Sequence, residues 1–433
     1  MKRRTYLVTA GALTISGCMG FGETDEPRAD NNTTDSSGNG TGNGDGNGNG
    51  NGNGDGDGDG NGDGNGDGDA ETPLEAETFD DFENLNDWRV VSGSVSAYGD
   101  YSVTGSQSVL LEASEDESQV RMARELEEPI DCSELTPGLA VASHDTVNVA
   151  IQLFDEARDK AVFRQRTHGM SIRHVNFGVE YLQGNPDLSE ITEIEITIWS
   201  GEGTAQAWID DLHFVSRPDA KVLLQFDGAY QSHYTDALPL VEEYDIPATA
   251  FVPTNRLREE EDHEGGRLTH DQVAELSEAG WTIGSYGAHG GNMRSLEGDR
   301  TAESEIETAR AWLEDNGYGD GAQCFAYPGD RYDDATIEAV ENNHELGFSG
   351  GFPTHGAIMN PALCSRLVHP DADQARHALD VTAELGGIAS IAFVRLENDL
   401  GALEATLEHI HDLESAGEIE VITPQQLADE YVI

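Results

Sequence analysis

The chain has 433 residues and a formal net charge of -59, with 83 acidic against 24 basic side chains. Residues 1–70 carry only 12 of the acidic and 4 of the basic side chains, so residues 71–433 keep a net charge of -51. Because this balance offers no basic patch to a polyanion, it excludes nucleic acid and anionic membrane surfaces as partners. A folded region this acidic repels itself unless salt screens the charges, which favours a halophilic source over a generic acidic secreted protein.

Residues 1–18 have the features of an export signal. Lys2-Arg3-Arg4 supplies the paired arginines of a twin-arginine signal, and the apolar run over residues 7–15 is too short to span a bilayer. The run leads into Ser16-Gly17-Cys18, a small-residue cleavage site with a cysteine. We interpret this as a lipoprotein signal with the lipid on Cys18, the alternative being a plain secretory signal. The expected location is the extracellular face of the cell membrane, through the lipid anchor alone.

Residues 19–75 are predicted to be a disordered tether. Residues 38–69 alternate Gly with Asn or Asp almost without interruption and contain no apolar side chain that could form a core. Gly-rich chains behave as flexible coils, and repulsion between the aspartates extends this one further.

Residues 77–217 are predicted to form a β-sandwich, because short segments of period-two alternation are separated by turn residues. The clearest of these segments lie at residues 88–91, 108–111, 147–153, 194–199 and 207–209. The stretches at residues 79–83, 104–108 and 208–212 resemble jelly-roll modules of the carbohydrate-binding kind. That resemblance implies a structural calcium held by Glu83 and Asp210. Trp88 and Trp199 are expected to pack in the core, with stacking on sugar rings as the alternative.

From residue 221 onward, apolar runs typical of buried strands alternate with helical stretches. The runs lie at residues 222–224, 248–252, 324–327, 391–394 and 419–422, and the helices are predicted at residues 268–279, 303–315, 372–384 and 403–414. This alternation predicts a parallel α/β sheet closed, or nearly closed, into a barrel. Any chemistry is then expected on the loops that follow the carboxyl ends of the strands.

Residues 220–433 resemble a polysaccharide deacetylase domain (NodB-homology, carbohydrate esterase family 4-like). The resemblance rests on Phe226-Asp227, Ile283-Gly284-Ser285, Phe325-Ala326-Tyr327-Pro328 and the final Glu420-Val421-Ile422-Thr423-Pro424. It implies an irregular (β/α) barrel that removes acetyl groups from sugars. In the family, one aspartate and two histidines hold a divalent metal, which polarises the acetyl carbonyl and activates a water. A further aspartate acts as base and a distant histidine as acid.

Carried over residue by residue, the resemblance gives Asp227 the position of the base. The three metal-ligand positions fall on Gly228, Tyr286 and Gly290, and the acid position falls near Val394. None of these four residues can perform the family's role. A divalent metal such as zinc is therefore expected in the barrel only if the domain is active with a relocated set of ligands.

Several other residues of these loops remain candidates. His289 lies one residue before a ligand position, where it is either a rescued second ligand or a histidine of a surface loop. His355 and His369 also follow predicted strands and offer further ligands, with solvated loop positions as the default. The candidate substrate contacts are His289, Tyr327, Pro328 and Arg331.

Two functions are consistent with this pattern. The favoured one is a cell-surface pseudoenzyme that binds a glycan or acts as a scaffold, with deacetylase activity lost or weak. The alternative is an active carbohydrate deacetylase, a hydrolase of non-peptide C–N bonds, with a relocated metal site. In both, the expected partner is a cell-surface polysaccharide.

The cysteines add little to either function. Apart from Cys18, the chain contains Cys132, Cys324 and Cys364. An odd number of cysteines does not indicate a disulfide framework, and the sequence leaves their pairing open.

The charge generates a prediction about salt. Raising KCl from 0.1 M to 1 M shortens the Debye length from about 10 Å to about 3 Å, which removes most repulsion between the acidic side chains. We therefore expect the thermal unfolding midpoint to rise steeply over this range, measured by circular dichroism on the purified protein. An unchanged midpoint would contradict halophilic adaptation.

Overall fold

The structure is a computed structural model, and it describes residues 74–433 apart from Glu115, Glu202, residues 260–265, Pro353 and Asn398. The predicted export signal with Cys18, and all but the end of the predicted tether, lie outside the described residues. Residues 70–433 belong to one compact unit. Within the described ranges, no helix combines the length and the apolar character needed to cross a membrane.

The first half of the described chain is all β, with twelve strands in two antiparallel sheets. The strands are β1 (Ala76–Asp80), β2 (Arg89–Ser92), β3 (Ser94–Tyr98), β4 (Ser108–Ala113), β5 (Gln119–Ile130), β6 (Leu135–Ser143), β7 (Val147–Asp155), β8 (Lys160–Thr167), β9 (Met170–Val175), β10 (Gly178–Gln183), β11 (Ile191–Trp199) and β12 (Ala205–Ser216). One sheet has the order β3-β4-β12-β6-β9, with β1 also pairing with β12. The other has the order β10-β8-β7-β11-β5-β2.

Alternation along the strands builds the core of this region, as β11 illustrates. Ile194, Ile196 and Ile198 are fully buried on one face of the strand. On the opposite face, Glu195 forms an ion pair of 2.7 Å with Arg121 of the neighbouring strand β5. The period-two pattern in the sequence thus corresponds to one apolar face and one face of paired charges.

The second half is a barrel of parallel strands. Its strands and the short strands beside it are β13 (Lys221–Asp227), β14 (Ala248–Val252), β15 (Thr282–Ser285), β16 (Cys324–Ala326), β17 (Leu346–Gly350), β18 (Thr354–His355), β19 (Cys364–Val368), β20 (Ile388–Phe393) and β21 (Glu420–Val421). Seven of them pair in the order β13-β14-β15-β16-β17-β19-β20, and β20 pairs with β13 to close the ring. The strand β18 adds antiparallel to β20, and β21 adds parallel to β13.

Seven helices pack around the barrel: α1 (Leu238–Tyr244), α2 (His270–Glu278), α3 (Ala302–Asp315), α4 (Asp334–Asn343), α5 (Ala372–Leu385), α6 (Leu400–Ala416) and α7 (Pro424–Glu430). Four of them begin with a capping box, in which the side chain before the helix and the third helical residue bond each other's backbone N–H groups. The capping residues are Thr269, Thr301, Asp371 and Thr423.

The predicted fold class is confirmed as an irregular (β/α) barrel preceded by an all-β region with antiparallel sheets. Helices α2, α3, α5 and α6 lie within two or three residues of their predicted bounds. The predicted apolar runs do not include β15, β17, β18 or β19, and the predicted helices do not include α1 or α4. Strand β19, Cys364-Ser365-Arg366-Leu367-Val368, lacks an apolar run because a charged side chain occupies its centre.

The all-β region and the barrel share one core and a polar contact. A single apolar cluster continues from Phe163 and Phe177 in the all-β region to Phe325 and Tyr327 at β16. Asn176 donates its amide to the carbonyls of residues 360 and 363 and accepts the N–H groups of residues 359 and 360, at 2.8–3.1 Å. Because every bond of this buried amide crosses to the barrel, the contact depends on both parts being folded.

Candidate functional site

The loops predicted to carry chemistry meet at one edge of the barrel. Asp227 ends β13, Tyr286 follows β15, Tyr327 follows β16 and Val394 follows β20. These strands are parallel, so their carboxyl ends lie at the same edge of the closed sheet. The structure therefore brings together the positions that the resemblance assigned to the base, a metal ligand and the acid.

Asp227 is held in a buried, bidentate ion pair with Arg366 of β19. Its two carboxylate oxygens accept from the two terminal nitrogens of Arg366 at 2.8 and 2.6 Å. Both side chains are 2% exposed, and Gln225 accepts a further bond from Arg366 at 3.1 Å. Paired guanidinium–carboxylate bonds of this kind fix orientation as well as charge. Asp227 therefore sits where the base was predicted, but its charge is already compensated.

A guanidinium group stands beside the first lost metal-ligand position. Gly228 has φ of +92°, and a Cβ added to it would lie 2.8 Å from Arg267 Nη1 and 2.9 Å from the Tyr230 ring. Arg267 also donates to the Gly228 carbonyl oxygen. An aspartate side chain at this position would have to displace Arg267 as well as adopt a strained backbone conformation.

The second lost position holds a buried neutral hydroxyl. Burial raises the pKa of Tyr286, and the charge of Asp227 raises it further, so the phenol stays protonated. The Tyr286 oxygen accepts the backbone N–H of Gly329 at 3.3 Å. At the third lost position, Gly290 has φ of +60° and packs against Tyr286 and Pro253.

His289, the candidate for a rescued ligand, is engaged elsewhere. Its Nδ1 lies 2.9 Å from Glu305 Oε1, and its backbone N–H donates to Glu305 Oε2 at 2.9 Å. Glu305 is 2% exposed and also lies 3.5 Å from Arg300. The histidine thus ties its loop to the first turns of α3, and it serves as the partner of a buried carboxylate.

The residues at this edge do not fit the divalent metal that the resemblance implies. Gly228 and Gly290 offer no ligand atom, and Tyr286 offers a protonated oxygen. The nearest charged groups, Arg267 and Arg366, are cations that would repel a metal ion. Among the described residues carried over from the family motifs, Asp227 is the one carboxylate, and both of its oxygens are occupied by Arg366. We therefore derive no reaction step through a metal at this edge.

At the predicted acid position, the backbone carbonyl of Val394 accepts a hydrogen bond from a histidine that was not among the predicted site residues. His233 is fully buried, and its Nε2 lies 2.6 Å from the Val394 carbonyl oxygen. Burial lowers the pKa of His233 to about 4, so the ring is neutral at physiological pH and donates this hydrogen bond. It holds the loop after β20 in place, and its neutral ring is not the imidazolium that a general acid requires.

Two of the proposed substrate contacts need correction. The Tyr327 ring is 1% exposed, and its hydroxyl donates to the Ala362 carbonyl at 2.9 Å, so it is part of the core. Pro328 is also buried, whereas Arg331 is exposed. The neighbouring Asp330 accepts the Gly350 N–H at 2.8 Å and pairs with His168 of the all-β region at 3.1 Å. This motif therefore anchors the two parts of the chain to each other.

The remaining candidates are His369 and His355. His369 pairs with Asp399 at 3.2 Å and is 42% exposed, as expected for a loop histidine. The side chain of His355 is outside the described part of the chain.

The two carboxylates proposed for calcium bind one loop through its N–H groups. Asp210 accepts from the backbone of Val103 and Thr104 at 2.6 and 2.9 Å, and Glu83 accepts from Ser106 and Gln107. A calcium site would instead turn carbonyl oxygens toward the ion. The calcium thus stays a prediction that these contacts do not favour.

Trp88 is buried and donates to Asp80, as expected for a core side chain, and Trp199 is partly exposed below the Arg164 guanidinium.

Two arginines of the site escaped the sequence analysis. Arg366 lies in the middle of a strand. Because a charge inside a barrel requires an opposite charge beside it, this position could have indicated a buried ion pair. Arg267 comes from the loop between β14 and α2, and no local pattern places it beside Gly228. The half-buried ring of Tyr230 lies between Arg267 and Arg395. The guanidinium carbons of the two arginines are 4.0 and 4.4 Å from the ring centroid.

Comparison with known proteins agrees with the resemblance. Residues 215–347 match the family model described as polysaccharide deacetylase. The chain is 29% identical over 168 residues to a poly-beta-1,6-N-acetyl-D-glucosamine N-deacetylase of Staphylococcus epidermidis, an alignment that covers 37% of this chain and 53% of the relative. The chain thus spans about half the length of the curated relatives it matches.

Two solved structures are also similar. One is a family 4 carbohydrate esterase from Streptomyces lividans in complex with acetate, at 13% identity, covering 50% of this chain and 97% of that chain with a TM-score of 0.34. The other is a mutant of a family 4 pseudoenzyme with restored enzymatic activity, at 15% identity, covering 50% of this chain and 70% of that chain with a TM-score of 0.34.

The buried ion pair generates a stability prediction. Asp227→Asn leaves the Arg366 guanidinium buried without a counter-charge, which typically costs about 3–5 kcal/mol. The double variant Asp227→Leu, Arg366→Met removes both charges and should recover most of that loss. Denaturant titration in molar KCl measures both.

The matched control is Glu314→Gln. Glu314 pairs with Arg310 at 3.0 Å but is 50% exposed, so its loss should cost less than about 1 kcal/mol. If Asp227→Asn cost no more than this control, the pair would not be the structural element described here.

Proposed function

Because the C-terminal part of this chain contains a polysaccharide deacetylase domain, we propose that the protein is a cell-surface lipoprotein that binds polysaccharide without deacetylating it. The barrel then serves as a recognition surface, linked through residues 19–75 to a lipid on Cys18. This proposal assigns the location to the extracellular face of the membrane of a halophilic cell.

One observation supports the proposal that deacetylase activity is lost. The carboxylate at the base position is bonded on both oxygens by Arg366, and a second guanidinium, that of Arg267, stands where a metal-binding side chain would begin. Deacetylation in this family requires a metal-bound water and a base free to accept its proton. Both requirements fail at the same edge of the barrel.

The support for a glycan partner comes from the relatives and from Tyr230. The curated relative from Staphylococcus epidermidis is named for an N-acetylated glucosamine polymer. In this chain, Tyr230 presents a half-buried ring beside the Arg267 and Arg395 guanidinium groups. Both faces of that ring are covered by the two guanidinium groups, so the surface offered to a sugar is the ring edge and the guanidinium N–H groups, which donate hydrogen bonds to hydroxyl oxygens.

The first test measures binding and acetate release on one N-acetylated β-1,6-glucosamine polymer. In molar KCl, we expect retention of the polymer with no acetate above background, and a loss of at least tenfold in affinity for Tyr230→Ala. The control is Tyr181→Ala, a 39% exposed tyrosine of the all-β region. Stoichiometric acetate release would replace the proposal with an active deacetylase. Loss of binding only in the control would move the glycan site to the all-β region.

A second test restores the missing ligands. Gly228→Asp, Tyr286→His and Gly290→His rebuild the ligand types, but Arg267 Nη1 lies 2.8 Å from the new Cβ at Gly228. We therefore expect one additional equivalent of zinc, relative to wild type, only when Arg267→Ser is added to the three substitutions. Metal content after desalting measures this. If the triple variant alone gained the equivalent, Arg267 would not be blocking the site.

A further inference from the structure

The all-β region contains a cluster of two histidines and one aspartate. His174 lies on β9, and Asp211 and His213 lie on β12. One ligand atom from each of the three lies within 4.8 Å of the others. His174 Nε2 is 2.8 Å from Asp211 Oδ2, and His213 Nδ1 is 3.6 Å from the same oxygen.

The sheet is built to let these side chains meet. The strand β6 lies between β9 and β12, with Ala140 opposite His174 and Gly138 opposite His213. A Cβ added to Gly138 would lie 2.4 Å from His213 Nε2, so only glycine lets this imidazole lie across the middle strand. The register of β12 shifts between Asp210 and His213, and Asp211 has φ of +46°. Backbone irregularity and a missing side chain both serve this one cluster.

The spacing of the ligand atoms matches a small tetrahedral ion. With zinc–nitrogen and zinc–oxygen bonds of about 2.0–2.2 Å, two ligands of a tetrahedral ion stand about 3.3 Å apart. The distances of 2.8 and 3.6 Å from Asp211 Oδ2 bracket that value. The two imidazole nitrogens lie within 4.8 Å of each other, so binding the ion requires side-chain rotations that bring them closer together.

The surroundings supply what a metal site needs beyond its ligands. Thr78 donates to the second oxygen of Asp211 at 2.7 Å, which orients the carboxylate. Asp211 and His213 are 5% and 2% exposed, whereas His174 is 24% exposed and leaves a path for entry and a fourth, water ligand. His213 Nδ1 also lies 2.8 Å from the Asp211 carbonyl oxygen. Binding exchanges that hydrogen bond for a bond to the metal, while the ring proton moves to Nε2.

We propose that His174, Asp211 and His213 form a binding site for a zinc-like divalent transition metal in the all-β region, separate from the barrel. Two imidazoles and one carboxylate are a donor set that suits zinc, cobalt and nickel and does not suit calcium or magnesium. The ion joins β9 to β12 across β6. It thereby stiffens this sheet. The sheet contacts the barrel half at this point, since the Asn360 side-chain amide donates to the His174 carbonyl oxygen at 2.8 Å.

The test uses the full-length protein, stripped with chelator and titrated with Zn²⁺ or Co²⁺ in molar KCl. We expect one equivalent to bind, with the visible absorption of tetrahedral Co²⁺ and a raised unfolding midpoint. His174→Gln removes the most exposed ligand with little risk to folding and should weaken binding by at least about 100-fold. Thr78→Val should weaken it by about 10–100-fold, the usual effect of losing a partner that orients a ligand.

Two control variants locate the metal. His409→Gln breaks an equally short histidine–carboxylate contact, 2.7 Å to Asp380, that has no second histidine, and it should leave binding unchanged. His289→Ala should also leave it unchanged, because it lies in the barrel. Unaltered affinity in His174→Gln, loss of the metal in His289→Ala, or no equivalent bound by wild type would each overturn the proposal. None of these assays depends on whether the barrel binds a glycan.

Discussion

The ion pair between Asp227 and Arg366 is the constraint on which the rest of the barrel's edge depends. It joins β13 to β19 inside the closed sheet, on either side of β20, with both side chains 2% exposed. A pair this deep is tolerated only when geometry and further hydrogen bonds compensate the loss of hydration, and the bidentate contact with support from Gln225 provides both. The charges of Asp227 and Arg366 therefore balance each other. The glycines and the tyrosine at the positions that the resemblance assigns to metal ligands are compatible with that balance, and a second carboxylate would disturb it.

Much of the fold could be predicted from the sequence, because each half carries its own periodicity. The alternation around Ile194, Ile196 and Ile198 identifies a strand with one buried face, and the alternation of apolar runs with amphipathic stretches identifies a parallel barrel. The family motifs then placed Asp227, Tyr286 and Tyr327 at the carboxyl ends of their strands. The predictions failed where a strand lacks an apolar run. Strand β19 has Arg366 at its centre, and its burial is explained by a partner 139 residues away in the sequence.

The candidate sites were harder to predict, because their contacts come from topology and not from local pattern. Arg267 meets Gly228 across a loop, and His233 reaches the Val394 carbonyl from the segment before α1. His174 and Asp211 are 37 residues apart in the sequence and are separated by a whole strand in the sheet. A motif can state which residue types are missing from a family position. It cannot state which side chain has taken over the space, and at this edge that side chain decides the chemistry.

The three cysteines of the described chain have a consequence for how the protein resists oxidation. Cys132, Cys324 and Cys364 are unpaired and buried, and burial raises the pKa of Cys132 and of Cys324 to about 12. The raised pKa keeps these thiols protonated at neutral pH, and the thiolate is the form that oxidants attack. Maturation of the described part of the chain therefore requires no oxidant and no disulfide isomerase. Its lifetime in the presence of oxygen depends on how rarely the core opens, since each opening exposes three thiols that have no disulfide partner among the described residues.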